Sequence, residues 1–314
     1  MVDQRPKRIA CLTMTRDEAL FLPIWHRYYA RLFGAENLFI VDHNSQECPP
    51  ARILGTSALN LFRLPFDAPS QGEDQRAFDR ERFRCVSSLV AALLKYYDTV
   101  VFNDTDEVFV TDPAVYPDLK ALLAARDEPI LAGVGLEIFH DPVAERPFDP
   151  QVSVLAQRRN YVYRFHHSKP HILSRPVHIG GHGSRRPFCL DPDLYLLHLK
   201  FLDRGETLRR QERLRGFFDA GRGGLKSRWR FDAGEMEGQL AKMAASPRKD
   251  GFNHKARLTH WLGKPGAGGW RIGKPQATPR KGLVHLTRFL PGEGVRAEQA
   301  VRRVLPRRFA GIEV

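Results

Sequence analysis

Cysteine is scarce in this chain, and long apolar runs are missing. Its four cysteines, Cys11, Cys48, Cys85 and Cys189, lie far apart with no CxxC pair. That spacing excludes a zinc ribbon and a disulfide framework, so reduced thiols are expected. No stretch approaches the roughly 20 apolar residues that a bilayer-crossing helix needs, and Ile9–Met14 is too short for a signal-peptide core. A soluble, cytoplasmic protein is the expectation. Neither an internal repeat nor a low-complexity segment is visible, and 42% hydrophobic content in 314 residues excludes a disordered chain. Such a chain can bury one large α/β core with an extension.

Charge is present in abundance but is spread unevenly. The net charge is +13, yet residues 1–205 hold 25 Lys+Arg against 26 Asp+Glu, whereas residues 206–314 hold 24 against 10. Three of the four tryptophans, Trp229, Trp261 and Trp270, also fall in the last third. A boundary near residue 205 is therefore expected, with a basic extension over 206–314. Such an extension could meet anionic lipid, nucleic acid or an acidic polysaccharide, since all three reward Lys and Arg by the same Coulomb attraction. A solvated arginine-rich surface is the plainer alternative.

The apolar pattern predicts a β-α-β start. Arg8–Met14 reads as a short buried strand, and Thr15 with Glu18 three residues later has the spacing of a capping box that opens a helix. Leu22, Trp25, Tyr29 and Leu32 recur at helical spacing until Gly34. A second strand over Asn37–Val41 then ends at Asp42 and the turn His43-Asn44-Ser45. Leu61–Leu64 predicts a third strand, Asp74–Tyr97 a long helix, Thr99–Phe102 a central strand and Ile130–Ile138 another. The sum is an α/β fold with a mostly parallel central sheet.

Asp104-Thr105-Asp106-Glu107 follows the central strand directly. In open α/β sheets ligands bind at the carboxyl ends of strands. Two carboxylates at Asp104 and Asp106 form a minimal clamp for Mg²⁺ or Mn²⁺, ions that take oxygen ligands and leave positions for substrate phosphates. Glu107 reads as a supporting acid or a helix start. His166–Arg186 is dense in His, Lys and Arg, and Lys169, Arg175 and Arg185 are candidates to meet a pyrophosphate leaving group. His178 and His182, interrupted by Gly180-Gly181, do not imitate a helical HExxH zinc site.

The segment TRDEALFLPIWHRYYARLFGAENLFIVDHNS, Thr15–Ser45, resembles family 2 glycosyltransferases, in particular a bacterial subgroup that opens on NEAPFLLEW-like sequence and a DNNS turn. NDTDEVF, Asn103–Phe109, is similar to that family's lDvDEF segment, and LYLLHLKFLDR, Leu194–Arg204, looks like its late HY segment. The resemblance covers residues 8–205. It implies a GT-A, Rossmann-like nucleotide-sugar fold over 1–205. It also implies nucleotide contacts from Thr13, Thr15, Arg16, Asp17, Glu18, Asp42 and Asn44, a ribose or metal-water contact from Asp104, and metal ligation by Asp106 and His198. His198 could equally be a core histidine on an apolar helix, because Leu194, Leu197 and Phe201 surround it at helical spacing.

The general base stays open among Glu137, Asp191 and His182, since the family's usual ED pair is missing from the expected region. The expected function is metal-dependent transfer, with inversion, from a UDP-sugar to a glycan or lipid-linked acceptor over the C-terminal part, with the tryptophans stacking on sugar rings. Peripheral contact with an anionic membrane surface is compatible with this, and no nucleic acid is expected. Two rivals remain: a metal-dependent phosphohydrolase or nuclease built on Asp104, Asp106 and His198, and a nucleic-acid-binding protein using the basic region.

Overall fold

A computed structural model describes residues 5–55, 60–67, 75–184, 186–217, 231–273, 286 and 290–314. Strand β1 (Ile9–Thr15) is buried along its whole length, as expected of a strand covered on both faces. Helix α1 (Phe21–Phe33) buries Phe21, Leu22, Ile24, Trp25, Tyr28 and Tyr29 and stops at Gly34, whose φ of 88° suits a residue without Cβ. The predicted capping box does not form. Thr15 is the last residue of β1, and α1 starts at Phe21 behind Leu20 with no side-chain cap.

Strand β2 (Leu38–His43) pairs parallel to β1, with Thr15 opposite Asp42. After α2 (Pro50–Leu54), β3 (Asn60–Leu64) adds parallel to β2. Helix α3 (Gln75–Leu93) then returns the chain, and β4 (Thr99–Phe102) pairs parallel to β1 on its other side. Strand order thus reverses between β1 and β4, and a crevice opens at their carboxyl ends.

The chain continues through β5 (Glu107–Thr111), α4 (Leu119–Ala124) capped by the Asp118 side chain, and β6 (Ile130–Phe139). Next come α5 (Val154–Gln157), β7 (Asn160–Tyr163), β8 (Ile172–Leu173) and the small hairpin of β9 (Ile179–Gly180) and β10 (Gly183–Ser184). Strand β11 (Phe188–Phe201) follows, then α6 (Arg204–Phe217), α7 (Ala233–Ala244), α8 (His254–Leu262), β12 (Trp270–Ile272), α9 (Gly292–Gln299) and β13 (Arg303–Val304). Among the described residues eleven strands form one sheet in the order β12-β11-β6-β8-β4-β1-β2-β3, with β5 on β11, β7 on β6 and β13 on β7. The fold is α/β with a large mixed sheet, compatible with a Rossmann-like plan. Its longer pairings are parallel, apart from β5 with β11.

Two expectations change. His198 sits on a strand and not on a helix, because the Leu- and Tyr-rich run of β11 is paired on both sides, antiparallel to β5 and parallel to β6. Residue 205 marks no break in packing either. Strand β12 extends β11, β13 extends β7, and Leu258, Trp270, Leu305, Phe309 and Val314 share one core with β1. Trp270 is buried in that core, Trp261 packs edge-on against Phe165, and Trp229 lies outside the described residues. The basic region also pairs with acids of the first part, as in Arg302 with Asp141, Arg308 with Asp112 and Lys255 with Asp193. Among the described residues no helix is long and apolar enough to cross a membrane, and all four cysteines are free.

Candidate functional site

A cleft of about 900 Å³ opens where the strand order reverses. Its floor is the run Asp104–Glu107, which turns from β4 into β5. Aromatic residues of α1 clamp this turn at both ends. Trp25 Nε1 donates to Asn103 Oδ1 at 3.2 Å, the Asn103 amide donates to Tyr29 Oη, and Tyr29 Oη accepts from Phe109 N–H. Tyr28 Oη donates to the Phe109 carbonyl at 2.7 Å. The W-x-x-YY spacing of α1 therefore does more than fill a core: it fixes the acidic loop.

Register sets the next row. Strand pairing places His198 directly opposite Glu107 on one side and Glu137 on the other. His198 Nδ1 lies 2.5 Å from Glu137 Oε1, and Nε2 lies 3.5 Å from Asp106 Oδ2. Burial would lower the His198 pKa, but Glu137 and Asp106 outweigh it and raise the ring to about 10.

Arginines and a lysine from distant segments face these acids. Arg82 of α3 meets Asp104 at 2.7 Å, and Lys169 meets Glu107 at 2.6 Å and Asp104 at 3.4 Å. Arg210 of α6 spans Asp106 and Glu18, at 2.8 Å from each. Burial pushes the two aspartates up, but Arg82 holds Asp104 below the usual carboxylate range and Arg210 holds Asp106 well below it. Burial wins at Glu107 and Glu18, whose carboxyls are raised despite Lys169 and Arg210. Lys169 is raised too, because Glu107 and Asp104 overcome its burial.

A loop after β7 supplies His166, His167 and Lys169 to the cleft. Gly135 on β6 lets it approach: a Cβ there would lie 2.3 Å from the Arg164 carbonyl oxygen and 2.6 Å from the His167 carbonyl carbon. Burial, followed by the neighbouring His198 and His166, holds the His167 ring well below its ordinary pKa.

Of the residues predicted from sequence, Thr15, Arg16, Asp17 and Glu18 line the cleft, as do Asp104, Asp106, Glu137, His182 and His198. Asp17 has a structural task as well, its Oδ1 accepting the backbone N–H groups of Gln46, Glu47 and Cys48. Five predicted residues among those described do not line the cleft. Thr13 is buried within β1, Asp42 accepts the Ser45 N–H, and the Asn44 amide donates to Asp67. Asp191 is at the far end of β11, beside Arg126 at 3.4 Å and outside the cleft. Arg175 is exposed away from the cleft, and Arg185 lies outside the described residues.

Sequence reasoning did not single out Arg82, His167, Arg210 or Arg213. Helical spacing hid Arg82 among the other charges of α3, and the proposed boundary at residue 205 assigned Arg210 and Arg213 to another unit. A scan of the chain against protein-family models finds no match, and a search among curated proteins finds none.

Proposed function

We propose that this cleft binds a nucleotide-diphosphate sugar, with a UDP-sugar the first candidate, and transfers the sugar to a glycan or lipid-linked acceptor, as a GT-A glycosyltransferase would. One observation carries the reading. The acidic run at the end of β4 shares one cleft with Lys169, Arg210 and Arg213, at the point where strand order reverses. A diphosphate needs fixed positive charge as the glycosidic bond breaks; Lys169 and Arg210 supply it in a buried setting, where charge counts for more than in water, and Arg213 supplies it from a more exposed position. Phe78, stacked on His43 at a centroid distance of 5.5 Å, adds an aromatic wall for a nucleobase.

The expected cofactor is Mn²⁺ or Mg²⁺ on Asp104 and Asp106, and the donor set of that pair argues against the location. Arg82 and Lys169 take the two oxygens of Asp104, and Arg210 takes Asp106 Oδ2. No step is routed through a cation there. Lys169 and Arg210 stabilise the departing diphosphate. Glu137 is held by His198 Nδ1, which leaves His182, exposed at the cleft wall, as the expected proton acceptor best placed to meet an incoming hydroxyl.

A thermal-shift and calorimetric screen of UDP and UDP-sugars, with and without Mn²⁺, tests the reading. A donor at 100 times its Kd should stabilise the fold by about 2.7 kcal/mol. Arg210→Ala should weaken donor binding by ~10–100-fold, as expected when a charged partner of the diphosphate is lost. If no nucleotide-sugar raises the melting temperature of the wild-type chain, the proposal fails.

A further inference from the structure

Beside the acidic run lies a second cluster of different chemistry. Glu137 on β6, His198 on β11 and His167 in the loop between β7 and β8 each offer a ligand atom, and these atoms all lie within 4.8 Å of one another. Three features make this more than a chance grouping. Glu137 and His198 are direct cross-strand neighbours, so their spacing is set by sheet register and not by a mobile loop. His167 is pressed onto the same strand because Gly135 has no Cβ, its ring 4.4 Å from that of His198. The His167 Nδ1 atom is also buried without a hydrogen-bond partner, a cost that a protein seldom leaves uncompensated.

We infer that Glu137, His167 and His198 form a binding site for one divalent transition ion, such as Zn²⁺, Co²⁺, Mn²⁺ or Fe²⁺, in preference to Mg²⁺. Ligand atoms around such an ion sit about 2.0–2.2 Å from the metal, so binding displaces the proton that His198 and Glu137 share. Two imidazoles and one carboxylate suit a borderline metal, whereas Mg²⁺ takes oxygen ligands and holds its water tightly. Three protein ligands leave positions open for water or for an oxygen arriving from the cleft. The ion adds positive charge to the cleft floor beside Asp106 and Glu107. The inference stands on this geometry alone and does not depend on the transferase reading.

The test uses untagged, metal-stripped full-length protein titrated with Co²⁺, followed by its visible absorption. Wild-type protein should bind one Co²⁺ and keep it in a large excess of Mg²⁺. His167→Ala and Glu137→Gln should each weaken Co²⁺ by ~10–100-fold or more. His167→Gln, closer in volume, gives the same reading should the alanine variant fail to fold. Co²⁺ binding by a folded His167 variant as tight as wild type overturns the site, as does stoichiometric displacement by Mg²⁺. Arg213→Ala separates the two proposals: it should weaken UDP binding and keep the cobalt spectrum. Cobalt binding without any nucleotide-sugar binding sinks the transferase alone, and the converse sinks only this site.

Discussion

Strand β11 has a buried histidine beside each half, and the two lean in opposite directions. Near its start, His254 of α8 packs against Tyr195, with Nε2 at 2.8 Å from the Pro192 carbonyl oxygen; burial dominates and lowers its pKa to about 4. Near its end, His198 keeps about 13% of its side chain exposed to the cleft, and Glu137 and Asp106 raise it to about 10. The acids differ as well. Asp191 is closed in by Arg126 and by a loop in which Gly269, at φ 111°, would set a Cβ 2.2 Å from the Leu190 carbonyl oxygen. The acids around His198 open onto a cleft instead. One strand thus carries a sealed polar cluster and an open one built from the same residue types. Access to the cleft, more than charge, separates the two clusters.

The largest expected effect tests the two histidines. His254, with a folded pKa below the ordinary 6.5, contributes stability that is fully present above about pH 6.5 and is lost as pH falls toward 4. His198, with a folded pKa above 6.5, contributes stability that is present below about pH 6.5 and is lost as pH rises toward 10. Urea midpoints of metal-free protein should therefore decline on both sides of neutrality. His254→Asn should flatten the acid limb, and His198→Asn the alkaline limb. NMR titration showing both rings with ordinary values would erase the contrast.

The glycines sharpen the comparison next. Gly135→Ala and Gly269→Ala each force a Cβ onto backbone, and each should cost at least ~1–3 kcal/mol in chemical unfolding. Only Gly135→Ala, which pushes the His167 loop off β6, should also weaken Co²⁺ or nucleotide binding. Equal loss of binding in both variants would mean that the two ends are coupled. The smallest effect belongs to Asp191→Ala. It removes the acceptor of the Asp193 N–H and one of two acidic partners of Arg126, Glu128 remaining, for about 1 kcal/mol of stability, and should leave UDP binding untouched where Arg210→Ala weakens it.

Much of the frame was legible locally. Strand β4 was predicted residue for residue, β6 to within one residue, and Gly34 as the stop of α1. These features follow from apolar periodicity and from positive φ, which neighbouring residues determine. The acidic run was placed correctly at a strand's carboxyl end. The reading of Thr15 and Glu18 as a capping box went wrong because β1 runs on to Thr15 and the helix starts only at Phe21, while Glu18 pairs with Arg210. Counting charge by segment misled for a similar reason: Arg302 and Arg308 answer Asp141 and Asp112 across the presumed boundary. Arg82, His167 and Arg210 carry no local signal of their role, because a long charged side chain on a helix or loop looks the same whether it meets water or a buried carboxylate.

Sequence alone determined that this chain would build an α/β sheet and bring Asp104–Glu107 to its rim, since strand length, helix periodicity and glycine stops are local properties. Tertiary structure decided what those acids meet. Asp106 and Arg210 are 104 residues apart, and His198 and Glu137 are 61 apart. Their pairing depends on strand register and on how α6 crosses the cleft. Coulomb attraction and desolvation act through space, so the protonation of each group, and its readiness for a metal or a phosphate, was fixed only when the fold closed.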